Sequence, residues 1–218
     1  MNNLIGMIAA IIYVVMIFVS SKVFEKSGKE VSRKYIHIML SNWWIIAMIF
    51  FDNWIWASIM PACFIVINYL SYKYNIIKVM ERDEEDDNKN SLGTIYYAIS
   101  LFVLAVLSFG ILKKPEVGLC GTLVMGYGDG LAAVIGKGIK SKKFKILGNQ
   151  KSVAGCITMF IVTFTIIMIY LCYCSSSFAL LKALLLGLVM TAVEACSVKG
   201  LDNITVPIIT SLIMCFLV

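Results

Sequence analysis

Eight apolar stretches, each near the length of a bilayer crossing, dominate this chain: about residues 3–20, 35–51, 53–72, 92–112, 117–136, 153–174, 178–196 and 203–218. A helix needs roughly 17–25 apolar residues to cross about 30 Å of hydrocarbon, and in lipid only helices or closed barrels satisfy every backbone polar group. A chain that is 60% hydrophobic and 15% charged, with a mean hydropathy of +0.88, is no soluble domain. The expectation is an all-α, polytopic membrane protein of about eight transmembrane helices, residues 1–218 forming a single integral-membrane domain. The N-terminal run has no basic leader or small-residue cleavage site and is read as a retained span. Seven cysteines without a C-x-x-C pair, mostly in apolar runs, read as small hydrophobes rather than disulfides or zinc ligands.

The links alternate. Those at 21–34, 73–91 and 137–152 are long and charged, whereas those at 52, 113–116 and 175–177 are very short. The side with the long links, counting Lys199, carries 16 of the Lys and Arg residues, and the other side only Lys113, Lys114 and Lys182. By the positive-inside rule the long links are cytosolic.

Polar motifs gather toward that same face. In span five the run GYGDG places Asp129 among Gly126, Gly128 and Gly130, with Gly136 one turn or two beyond. A carboxylate inside a span is costly unless neutralised, paired or metal-bound, so the fifth span is expected to be broken or glycine-rich around a polar cavity. The glycines by themselves fit tight helix packing equally well. VMGYGD also resembles a potassium-channel filter, but in such channels the aspartate faces outward, and here it leads into the most lysine-rich cytosolic link.

Around it, SRKYIH offers Arg33, Lys34 and His37, either as phosphate ligands or as an interfacial anchor. The link after span five carries Lys137 and Lys142 among its six lysines and closes with Lys151, Ser152 and Gly155, read as a phosphate clamp or as an anchor and helix cap. It is not a Walker A loop. Glu194, Asp202 and Asn203 join the last two spans, and the two carboxylates with Asp129 would make an oxygen-ligand set for Mg²⁺. The acidic run at 81–87 reads as a solvated linker, and in the SLGT that follows Ser91 caps span four while Gly93 and Thr94 put small polar groups at the cytosolic mouth.

Taken in order, SRKYIH, SLGTIYY, GYGDGLAA, QKSVAG and VEACSVKGLDNITVP resemble the membrane family of dolichol kinase, phytol kinase and CTP-dependent diacylglycerol kinase, over residues 30–210. The LDNITVP ending leans toward the phytol-kinase branch. The chain departs from the pattern at Ala154, where an acidic residue is expected after the Lys-Ser pair, and at Gly130, where a larger residue is common. A role for the missing acid would pass to Glu194 or Asp202.

The resemblance implies transfer of a γ-phosphate from a nucleoside triphosphate, CTP before ATP, to a lipid alcohol at the cytosolic membrane face. It implies Mg²⁺ as cofactor, with Asp129, Lys151, Arg33 and His37 as catalytic residues. Lys34, Gly126, Gly128, Gly130, Gly136, Lys137, Lys142, Ser152, Gly155 and Asn203 would hold nucleotide or phosphate, and Asp129, Glu194 and Asp202 the metal. The expected partners are the nucleotide, the lipid alcohol and the bilayer, with no nucleic acid. A phosphatidate cytidylyltransferase-like enzyme is the nearest alternative, because the same cations would serve attack at the α-phosphate. A transporter or channel is the more distant one, and no internal repeat supports it.

Overall fold

The structure, a computed structural model, describes residues 2–26, 28–74, 92–147 and 149–218. The acidic run 81–87 and Ser91 lie outside the described residues. Helices carry the fold: α1 (Asn2–Glu25), α2 (Lys29–Ser41), α3 (Trp43–Phe50), α4 (Trp54–Tyr74), α5 (Gly93–Ala105), α6 (Pro115–Leu123), α7 (Gly130–Gly138), α8 (Val153–Tyr173), α9 (Ala179–Cys196) and α10 (Asp202–Leu217). Among the described residues, six stretches are long and apolar enough to cross a membrane: Asn2–Glu25, Trp54–Tyr74, Gly93–Ile111, Pro115–Gly138, Val153–Tyr173 and Ala179–Cys196. Large apolar side chains such as Ile8, Ile12, Val19, Ile161, Ile169 and Leu188 are exposed on these helices, as a lipid-facing surface requires. The chain is a polytopic helical membrane protein.

Among the described residues, two of the eight expected spans are not matched by a single helix of crossing length. The second is divided between α2 and α3 at Asn42, whose amide is tied to the Tyr127 hydroxyl at 3.0 Å instead of pointing to lipid. The eighth, α10, has 16 residues, or about 24 Å of helix against about 30 Å of hydrocarbon. A further departure is a small antiparallel hairpin, β1 (Lys143–Ile146) with β2 (Asn149–Ser152), in register so that Phe144 faces Lys151 and Lys143 faces Ser152.

The fifth span is a continuous helical stretch, Pro115–Gly138, with a wider turn inside it. Between α6 and α7 the residues Val124–Asp129 form a π-helical turn, a wider turn that is rare and recurs at functional sites. Because the filter-like VMGYGD is wound helically, its carbonyls cannot line a pore in the extended manner of a selectivity filter. Glycines let neighbours press onto this turn. A Cβ at Gly126 would collide with Ser41 and one at Gly130 with Ile38, so α2 lies directly against the turn that bears Asp129.

The two ends of the bundle differ as the charge count requires. At one end Lys34 meets Asp129, Lys151 meets Glu194, and Asn149 Nδ2 donates to the Ser197 carbonyl at 2.8 Å. At the other, Asn3 Nδ2 donates to Asp52, Trp44 Nε1 to the Pro115 carbonyl, and Lys182 Nζ to the Leu217 carbonyl. Among the described residues, the links at 21–34 and 137–152 therefore meet at one end and the short links lie at the other.

The α6–α10 contact is close enough to test. A side chain at Gly121 would run into Ser211 Oγ and the Pro207 carbonyl, whereas Gly138 faces open space. Overpacking of this kind costs about 1–3 kcal/mol. Gly121→Leu is expected to lower the thermal unfolding midpoint in detergent by several degrees and Gly138→Ala to leave it unchanged; equal midpoints would refute the packing.

Candidate active site

The site is assembled from four sequence-distant pieces. α2 brings Glu30, Arg33, Lys34 and His37; the π-turn brings Asp129; the hairpin and first turn of α8 bring Lys151, Ser152 and Gly155; the α9–α10 corner brings Glu194 and Asp202. That corner turns at Gly200, which adopts φ of +85°, a conformation costly for a residue with a side chain.

At the centre Lys34 Nζ donates to Asp129 Oδ2 at 2.6 Å, with both groups buried. His37 Nε2 lies 3.4 Å from the same oxygen and 3.4 Å from the Met125 carbonyl. Its ring packs on Tyr97 with centroids 4.4 Å apart, and the Tyr97 hydroxyl donates to the His37 carbonyl at 3.1 Å. Lys151 Nζ donates to Glu194 Oε1. Burial disfavours charge on Lys151, but Glu194, with Asp202 and Asp129 behind it, more than offsets this and leaves its pKa above the ordinary lysine value. Arg33 Nη2 is shared by both carboxylate oxygens of Glu30, at 2.8 and 2.7 Å.

Carboxylate oxygens of Asp129, Glu194 and Asp202 all lie within 4.8 Å of one another. Three carboxylates this close repel unless cations sit among them, and Lys34 and Lys151 supply two. An all-oxygen set of this kind fits a hard divalent cation such as Mg²⁺, which takes one or two carboxylates alongside phosphate oxygens.

Two cavities meet at this cluster. The larger, about 550 Å³, is lined by Lys137, Lys143, Lys151, Ser152, Gly155, Glu194 and Lys199, among others. The smaller, about 70 Å³, lies among α2, α4, α5 and α10 and is lined by Ile36, His37, Leu40, Asn68, Gly93, Thr94, Tyr97 and Asn203. Arg33, Lys34, Asp129 and Asp202 belong to both. Ser152 caps α8, its hydroxyl accepting from Gly155 N at 3.2 Å, so the positive end of a 21-residue helix faces the larger cavity.

The residues singled out from sequence are therefore distributed unevenly. Gly136 and Gly155 line the larger cavity, where α7 crosses α8 closely, but Gly126, Gly128 and Gly130 line neither cavity and face Ser41, Met159 and Ile38. Lys142 does not line the larger cavity, where Lys143 and Lys199 stand beside Lys137. Asn203 lines the smaller cavity instead of the larger. Ala154 donates its backbone N–H to Ser141 Oγ at 3.2 Å, while Glu194 reaches Lys151 from the other side of the cavity. Glu30, Asn68 and Tyr97 were not singled out; only the pairing of Glu30 three residues before Arg33 had a local signature.

A helical membrane protein with buried carboxylates and lysines around a polar cavity at one end of its bundle has the parts of an enzyme that handles phosphate within a membrane. Comparison with known proteins defines the kind. The chain is 32% identical over 195 residues to the phytol kinase of Synechocystis sp., covering 86% of this chain and 79% of that one. It is 28% identical over 202 residues to phytol kinase 1, chloroplastic, of Arabidopsis thaliana and 29% over 195 residues to the probable phytol kinase 2, chloroplastic, of Glycine max. The chain spans 65% and 64% of those two plant proteins. No protein-family model and no solved structure matches it. The chain belongs to the phytol kinase family, and it is a phosphotransferase of the lipid-alcohol kinase kind.

Removing one partner of a buried ion pair leaves the other charge stranded, at a cost of about 3–5 kcal/mol. Lys34→Met is expected to destabilise the protein by that order in thermal or denaturant unfolding, and Asp129→Asn introduced into the same chain to restore most of the loss. Additive losses in the double variant would show that the two residues do not interact.

Proposed function

We propose that this protein transfers the γ-phosphate of a nucleoside triphosphate, CTP in preference to ATP, to the hydroxyl of a lipid alcohol at the cytosolic membrane face, within one catalytic domain spanning residues 1–218. The observation that carries this reading is the shared wall: a lysine-rich cavity and a smaller, partly apolar one meet at Asp129, Lys34, Arg33 and Asp202. The similarity to phytol kinases supports an acceptor of that class, a single-chain lipid alcohol.

In this reading the triphosphate occupies the larger cavity. Its phosphates meet Lys151, Lys137 and the α8 N-terminus at Ser152 and Gly155, where the helix dipole favours anions. Phosphoryl transfer depends chiefly on positioning and charge neutralisation, so Lys151, released from Glu194 by incoming phosphate, is part of the expected machinery. Asp129, Glu194 and Asp202 would hold Mg²⁺, which when bound neutralises phosphate charge. The bond between the γ-phosphorus and the bridging oxygen breaks, a bond from the alcohol oxygen to that phosphorus forms, and the nucleoside diphosphate leaves. The hydroxyl proton passes to Asp129, whose Oδ2 is held by Lys34. Arg33, presented by Glu30 at the shared wall, contacts the group in transit, and His37 buttresses Asp129.

Purified protein in detergent with Mg²⁺ and γ-labelled CTP or ATP is expected to label a phytol-type alcohol in preference to diacylglycerol, and Asp129→Asn to cut the rate by at least about a hundredfold. Release of pyrophosphate without labelled lipid would instead indicate nucleotidyl transfer and end the kinase reading.

Cys156 lines the larger cavity, whereas Cys63 and Cys172 are exposed elsewhere. Bound nucleotide should slow maleimide modification of Cys156 and leave the other two unaffected, as read by peptide mass spectrometry. Equal protection of all three, or of none, would place the nucleotide elsewhere.

A further inference from the structure

Among the described residues, seven buried side-chain nitrogen or oxygen atoms have no hydrogen-bond partner, and three of them, Arg33 Nε, Asn68 Oδ1 and Asn203 Oδ1, belong to residues of the smaller cavity. The two amide oxygens are the only carbonyl acceptors in that set; the rest are hydroxyls and N–H groups. Their orientations are fixed by the other end of each amide. Asn68 Nδ2 donates to the Thr94 carbonyl at 2.9 Å, bracing α4 against α5, so a flipped amide would set oxygen against oxygen. Asn203 Nδ2 donates to the Gly200 carbonyl and to Asp202 Oδ1, both at 3.1 Å.

A helix-bridging asparagine needs only its donor for that role. The bare acceptor is a separate matter, because a buried carbonyl left unpaired loses the hydrogen bond it has in water. Whatever completes it must donate a hydrogen bond. Ionised phosphates only accept, and so do the carboxylates nearby. A lipid alcohol donates through its O–H, and the apolar part of the wall at Ile36 and Leu40 suits the carbon next to it.

We infer that the smaller cavity is the acceptor-alcohol site and that Asn68 Oδ1 accepts the O–H of a single-chain lipid alcohol as it binds there, the O–H turning to Asp129 only when phosphate is transferred. Asn203 Oδ1 is a second acceptor on the same wall, next to Asp202. This inference rests on the lipid-alcohol kinase reading and assigns its acceptor site. The hydroxyl is thereby held on the far side of Asp129, Lys34 and Arg33 from the nucleotide cavity, and the two substrates approach one another across that wall.

The test is steady-state kinetics on the full-length protein in detergent, with nucleotide affinity measured separately by calorimetric titration in the absence of alcohol. Asn68→Leu is expected to raise the alcohol KM about tenfold, the worth of one hydrogen bond to a buried acceptor, with nucleotide affinity unchanged. A second measurement uses the wild type: the methyl ether of the same alcohol, which has no proton to donate, should bind about tenfold more weakly than the alcohol, and Asn68→Leu should erase that difference. Should the variant fail to fold, the ether comparison decides alone. An ether that binds wild type as well as the alcohol, or an Asn68→Leu variant that weakens nucleotide binding and spares the alcohol KM, overturns the inference while leaving the kinase reading in place. Failure of the wild type to phosphorylate any alcohol removes both.

Discussion

A lysine and an aspartate, 95 positions apart in sequence and both almost fully buried, hold the architecture to its purpose. In a low-dielectric interior neither Lys34 nor Asp129 is tolerable alone, and their contact is possible only if α2 lies flush against the turn that follows α6. Gly126 and Gly130 permit that approach by having no side chain where Ser41 and Ile38 must pass. The division of the second span follows, since Asn42 ends α2 by bonding to Tyr127 of the same turn. Ion pair, glycines and helix break are three aspects of one contact.

The same electrostatic accounting governs the rest of the cluster. Asp129, Glu194 and Asp202 crowd together, and two lysines lie within hydrogen-bond reach of two of them. Such a set is poised rather than inert: each lysine holds a carboxylate that could serve a metal, and each could instead serve a phosphate. The family places that arrangement in a lipid-alcohol kinase, and it explains how a protein can keep three carboxylates beside a membrane interior before any substrate arrives.

Much of this was legible in the residues. Apolar run lengths marked the helices, and the lopsided count of Lys and Arg told which ends meet. Asp129 stood out because carboxylates are rare in apolar spans, and Glu194 and Asp202 because they emerge at the same face. The partner of Asp129 was not legible, since Lys34 looks like any anchor at a span end until α2 is packed. Asn68 gave no signal, because a single asparagine in a span ordinarily bridges helices, and only the orientation of its amide reveals the spare oxygen. The β1–β2 hairpin was hidden by its brevity: four residues a side, with lysines alternating, resemble a solvated loop. Gly126, Gly128 and Gly130 lie against Ser41, Met159 and Ile38, contacts the residues alone do not reveal, because a glycine's sequence context does not say which backbone or side chain will approach it.

The π-turn at Val124–Asp129 also sets a phase. Each residue of an α-helix advances the next by about 100°, so one residue accommodated in a wider turn rotates all that follows relative to all that precedes. Upstream of it, Gly118 and Gly121 address Trp44 and the Pro207–Ser211 stretch; downstream, Gly136 addresses Ser152 and Gly155. The turn is thus a gear between two packing surfaces that a straight helix of this sequence could not serve together. Shortening it by a single residue would leave both surfaces apolar and the span just as hydrophobic, yet it would swing α7 away from α8 and disperse the cluster, a lesion that a hydropathy plot would not register.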